Sequence, residues 1–209
     1  MTGRRIGRAL ALALLLALAP ARLGAAPDRL DRFRAVAREQ LMTATDAPAR
    51  ERAVRDLYEL VDAEVLDSLR GDEPFSSVVF IRERLDALME AWGGATLRVV
   101  RIPAAGRRAP VTVGLYSLVG VVGSGSLRLF VGSGPGASLA AASTHDGLLD
   151  AQVWPAGPDR IARILALWGG PPAAHGVRTL HGELWQAREP DRVERAWGTT
   201  TREPQGVAG

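Results

Sequence analysis

The chain has 209 residues, with 26 basic and 23 acidic side chains, and every basic one is arginine; lysine, asparagine and cysteine are absent. Without lysine there is no Schiff base and no P-loop lysine, and without cysteine there is no thiol nucleophile, thiolate metal site, disulfide or lipid-modified cysteine. The formal net charge of +3 gives little reason to expect a nucleic-acid partner, and less once its distribution is followed along the chain.

At the N-terminus, Arg4, Arg5 and Arg8 precede an apolar run over residues 9–19, and small residues follow. That is the order of a secretory signal peptide. The run has 11 residues, against the roughly 20 that a membrane-spanning helix needs. Cleavage is therefore expected over anchoring, the alternative being an uncleaved N-terminal helix. Residues 1–26 read as the signal peptide, 27–200 as a single α+β domain (helical part 28–93, sheet part 95–200) and 201–209 as a disordered tail. The expected location is secreted or periplasmic, with no membrane span after cleavage. Removing residues 1–26 leaves 22 arginines against 23 acids, a net charge of −1, which withdraws the electrostatic case for nucleic acid. The missing lysine and asparagine, both encoded by AT-rich codons, point to a GC-rich bacterial genome.

Three helices are expected next. "PDRLDRFRAVAREQLM" spaces Leu30, Phe33, Ala37 and Leu41 three or four apart behind Asp28 as N-cap. "TDAPARERAVRDLYELVDAEVLDSLRGDE" offers Asp46 as cap, Pro48 in the first turn, an apolar face of Val54, Leu57, Tyr58, Val61 and Val65, and Gly71 as the stop. "EPFSSVVFIRERLDALMEAWGG" repeats Val78, Ile81, Leu85, Leu88 and Trp92. The three stripes read as core faces.

From Ala95 the period changes to two. "TLRVVRI" and "PVTVGLYSLVGVV" read as strands, the second with Val111, Val113, Leu115, Val119 and Val121 on one side, and "GSGS" turns the chain into "LRLFV". "SLAAAST" and "LLDAQVW" suggest a second hairpin. "GPDRIARILALWGG" places Ile161, Ile164, Leu165 and Trp168 on one helical face, so a short helix is expected there. "GVRTLHGELWQA" and "RVERAWGTT" form a final strand pair. Helices first and strands afterwards, with short connections, predict an α+β fold. Its N-terminal helices should pack on one face of a mostly antiparallel twisted sheet of about six or seven strands.

"LRLFVGSGPGAS" fits the nucleotide-loop pattern G-x-G-x-x-A through Gly132, Gly134 and Ala137, with Asp150 at the distance of a ribose-binding acid. Such a loop needs a following helix whose N-terminal amides hold the ligand, and "SLAAASTHDG" is too short to supply one. The glycines read as a turn, and no cofactor is expected. The three histidines are His145, His175 and His181. His145, Asp146, His181 and Glu183 are the residues a hydrolase would use, with or without a metal, but they match no metal signature and there is no G-x-S-x-G elbow. Between Glu90 and Asp146 the chain has five arginines and no acid. Arg98, Arg101, Arg107 and Arg108 are the candidate ligand-binding residues, able to fork onto a carboxylate or phosphate. The expected function is a non-catalytic ligand- or partner-binding domain of the cell envelope, taking a small anionic ligand or an envelope protein. A secreted hydrolase and a structural interaction protein are the alternatives.

Overall fold

The computed structural model describes residues 28–92, 95–104, 109–145, 150–157, 159, 161–172, 178–188 and 192–199. The leader, Arg107, Arg108, Asp146, His175 and the tail lie outside them. Three helices come first: α1 (Arg29–Ala35), continued by one wide turn over Val36–Leu41, then α2 (Ala47–Arg70) and α3 (Val78–Glu90). In the wide turn the Met42 amide reaches the Ala37 carbonyl, five residues back, at 3.0 Å. Asp46 caps α2 by accepting the Ala49 amide at 2.7 Å, with proline in the first turn, and Ser77 caps α3 through the Phe80 amide at 3.2 Å. Asp28 occupies the first cap position without a side-chain bond to the helix. Glu64, buried on α2, accepts both Arg29 of α1 and Arg84 of α3, so one carboxylate ties the three helices together.

Eight strands follow in two antiparallel meanders. The first sheet runs β1 (Ala95–Ile102), β2 (Val111–Leu118), β3 (Gly125–Val131) and β4 (Ser138–His145) in sequence order, and the second runs β5 (Asp150–Trp154), β6 (Ala162–Pro172), β7 (Arg178–Ala187) and β8 (Val193–Gly198). An α+β fold with antiparallel sheet is thus present, but built in three layers, because the strands divide into two stacked sheets where one was expected.

The layering follows from side-chain parity. Val99, Tyr116, Leu118 and Phe130 join Phe33, Leu57, Val61, Ile81 and Leu85 in a helix–sheet core. Their neighbours on the opposite face, Val113, Leu115, Leu127 and Leu129, pack with Ile164, Ala166 and Trp185 in a sheet–sheet core. Every residue of β3 is buried in consequence. On β2 the ring of Tyr116 lies over Gly114, where an added Cβ would come within 2.7 Å of the tyrosine oxygen, so only glycine fits there.

Three expectations need correction. The segment expected as a short helix is strand β6: Ala162, Ile164 and Ala166 alternate into the sheet–sheet core with Trp168 buried at the same parity, and the two small alanines hide a period of two beneath a spacing that also suits a helix. "SLAAAST" and "LLDAQVW" do not form a hairpin with each other, since β4 pairs with β3 and β5 with β6. Val119 leaves the apolar side of β2, because the strand ends at Leu118 and Val119 is exposed in the turn. That turn is held by Ser124, whose Oγ accepts the Leu118 amide at 3.0 Å and donates to the Val121 carbonyl at 2.7 Å. The glycine loop is a turn: Gly132 and Gly134 adopt φ of 90° and 64°, one short turn spans Gly134–Gly136, and strand β4 follows where a nucleotide loop would need a helix. Among the described residues no helix is long and apolar enough to cross a membrane.

Candidate functional site

Two polar clusters interrupt the two cores. The first lies between the sheets. Ser143 and His145, two apart on β4, face Glu183 and Trp185, two apart on β7, and Arg195 reaches in from β8. Ser143 Oγ stands 2.7 Å from His145 Nε2 and 2.9 Å from Glu183 Oε2. Glu183 also accepts from Trp185 Nε1 and from Arg195, each at 3.1 Å. His145 Nε2 lies 3.7 Å from the same carboxylate, and its ring stacks on Trp168 with centroids 3.6 Å apart. Of the residues a hydrolase was expected to use, the fold therefore joins His145 and Glu183. His181 instead approaches Thr199 Oγ1 at 3.3 Å on the far part of the Trp168 stack. Among the described residues no three His, Cys, Asp or Glu side chains are grouped to hold a metal ion.

The proton order in this cluster matters chemically. A serine hydroxyl has one hydrogen, and the Glu183 carboxylate, already accepting from Arg195 and the indole, takes it. Ser143 Oγ must then accept from His145 Nε2–H. In an activated serine the histidine nitrogen accepts the hydroxyl proton while the carboxylate orients the other ring nitrogen. Here the carboxylate binds the serine itself, and the chain of donors runs from histidine through serine to glutamate.

The second cluster lies under α2. Asp62 is 8% exposed, and its Oδ2 accepts Arg128 Nε of β3 at 3.1 Å, while Oδ1 is buried with no partner among the described residues. Arg128 further donates to Ser126 Oγ and sits 5.2 Å above the Tyr58 ring. Burial pushes the Asp62 carboxyl up from 3.8 to about 6; the charge and hydrogen bond of Arg128 oppose that rise, and Glu59 adds to it. Burial likewise raises the hydroxyls of Tyr58 and Tyr116 well above the usual tyrosine range.

A group whose folded value lies above its unfolded one weakens the fold as pH rises through the interval between them. Below about pH 4 Asp62 is protonated in both states. Between about 4 and 6 only the unfolded chain releases the proton, so this residue's contribution falls by up to about 3 kcal/mol and is constant above. Urea unfolding from pH 4 to 7 is expected to show wild type losing stability relative to Asp62→Asn across that window; parallel curves would refute the assignment.

Beside Asp62 a cleft of about 510 Å³ opens where α2 meets β4 and the start of β8, lined by Glu59, Ala63, Leu66, Arg70, Ser138–Ala140, Arg192 and Val193. β4 and β8 are each the last strand of their sheet, so the cleft sits where two sheet edges come side by side under a helix.

Of the candidate arginines, Arg98 and Arg101 lie among the described residues. Arg98 and Arg101 are three apart on β1 and so point to opposite faces. Arg98 pairs with Asp150 at the opening of the second sheet at 2.5 Å, and Arg101 donates to the Ser76 carbonyl ahead of α3 at 2.9 Å. Arg107 and Arg108 fall outside the described residues. Arg128, Ser143, Trp185 and Arg195 were not singled out from sequence; the one available cue was that each shares strand parity with another polar or aromatic residue two positions away. No protein-family model, curated protein or solved structure matches this chain.

Proposed function

We propose that the protein is an exported, non-catalytic binding domain of the bacterial cell envelope and that its ligand occupies the cleft between α2, β4 and β8. The observation that carries the reading is the cleft itself. Its volume falls in the range of ligand sites, roughly 300–1,000 Å³, and its apolar floor of Ala63, Leu66, Leu139 and Val193 is flanked by charged side chains of both signs. The order of donors from His145 through Ser143 to Glu183 favours binding over hydrolysis, because it leaves the serine proton on the carboxylate side. The leader-like N-terminus and the small net charge without it favour the envelope location.

Native mass spectrometry of protein exported in a bacterial host tests the reading. Wild type is expected to carry a bound molecule that is absent from Ala63→Trp, a change that fills the cleft, with both proteins unfolding cooperatively. Wild type recovered bare, or an adduct held equally by Ala63→Trp, would overturn it.

A further inference from the structure

The walls of the cleft differ in kind. One is helix α2, presenting Glu59, Ala63, Leu66 and Arg70 along a single face, and the other is the start of β4. β4 pairs with β3 on one side only, and among the described residues no strand pairs with its outer edge. A register shift opposite Leu129 and Phe130 leaves Ala140 without a β3 partner, so the chain bends at the point where Ser138–Ala140 line the cleft. A groove between a helix and an unpaired strand edge can accept an extended peptide, whose main chain completes the ladder while alternate side chains enter the groove.

Length and polarity restrict the occupant further. From Glu59 to Arg70 the helix rises about 16 Å, the length of about five extended residues. Arg70 donates to the Ala137 carbonyl at 3.2 Å, immediately before β4, whereas Asp62 meets Arg128, which is registered with Ala142 further along β4. α2 and β4 therefore run antiparallel, with the arginine at the beginning of β4 and the acids Glu59 and Asp62 towards its end. A strand added antiparallel to β4 brings its own C-terminus to the Arg70 end. Arg70 spends one donor on Ala137 and has others to offer a carboxylate.

We infer that the cleft binds the C-terminal segment of a partner protein as an added strand antiparallel to β4, its terminal carboxylate held by Arg70, its apolar side chains on Leu66, Leu139 and Val193, and a basic residue about four positions earlier facing Glu59. This rests on the binding reading above and specifies its ligand. The α2 wall sets the apolar Ala63 and Leu66 between charges of opposite sign, Glu59 and Arg70, which suits a short peptide end better than a small uniform anion.

The probe is a library of random seven-residue peptides in two forms, free carboxylate and C-terminal amide, titrated against the full exported chain. Free-acid peptides are expected to bind with enrichment of a basic residue near the fourth position from the end. Amidation should weaken them at least about tenfold, as should Arg70→Met, and peptide should slow hydrogen exchange of β4 edge amides. Equal binding of amidated peptides, protection of β8 in place of β4, or β4 protection arising from self-association without peptide would each overturn the inference. If native mass spectrometry finds a cleft-dependent adduct but neither library binds, the peptide inference falls while the binding function stands. If wild type is bare and both libraries fail, both fall.

Discussion

Replacing Arg128 with methionine is expected to destabilise the protein by about 3–5 kcal/mol at neutral pH, because it leaves the Asp62 carboxylate buried with neither oxygen partnered. The loss should shrink as pH falls toward 6, because without the charge and hydrogen bond of Arg128 the variant's Asp62 takes up its proton at higher pH than the wild-type residue does. Asp62→Leu should cost less, since Arg128 retains Ser126 Oγ, the Leu127 carbonyl at 3.5 Å and the Tyr58 face. The double variant should recover most of what Arg128→Met loses, because an apolar pair of similar volume carries no desolvation cost. A urea-unfolding double-mutant cycle measures this directly. Strictly additive single losses would show that the two side chains do not act as a pair.

The second large effect tests the three layers. Leu129 and Phe130 are neighbours on β3, both fully buried, with Leu129 in the sheet–sheet core and Phe130 in the helix–sheet core. Leu129→Ala is expected to cost about 2–5 kcal/mol and Phe130→Ala about 3–5 kcal/mol. Were the first sheet covered on one face only, the leucine would be a surface residue and its truncation would stay within about 0.5 kcal/mol. Denaturant midpoints of the two variants decide between these outcomes.

These effects bear on how much of the molecule the sequence reveals. The helices were legible because Leu57, Val61 and Val65 repeat at the helical spacing behind a cap at Asp46, and Ile81, Leu85 and Leu88 repeat at the same spacing; the Ser77 cap of α3 emerges only in the structure. β2, β3, β7 and β8 were legible from alternation. β6 was misread because Ile161, Ile164, Leu165 and Trp168 satisfy a helical spacing, while the residues that mark the strand's inner side include Ala162 and Ala166, too small to register as apolar anchors. The second sheet was missed for a related reason. Thr112, Gly114, Tyr116 and Arg128 do not read as an apolar face, yet the helices cover them, so β2 and β3 are buried on both sides without being apolar on both. Arg128 in particular reads as a surface charge until Asp62 is placed opposite it, 66 residues away. At the candidate sites, the shared face of His181 and Glu183 was visible from their two-residue spacing. Ser143 and Arg195 depend on how two sheets stack, and the cleft on which edges meet, and local pattern carries neither.

The order of the layers along the chain has a consequence for biosynthesis. Among the described residues the helix–sheet core draws on residues 33–137, with partly buried neighbours no further than Leu139, whereas the sheet–sheet core includes residues as late as Val193. A nascent polypeptide delivers its N-terminal part first. The helices and first meander can therefore assemble while the last quarter of the protein is still being made. During that interval the back of the first sheet, with Val113, Leu127 and Leu129, is uncovered and adhesive, and the closing strands act as a lining laid over it at the end of synthesis. A ribosome stalled before β7 would leave that greasy surface bare, which makes the intact C-terminal meander as much a safeguard against premature clumping as a part of the finished fold.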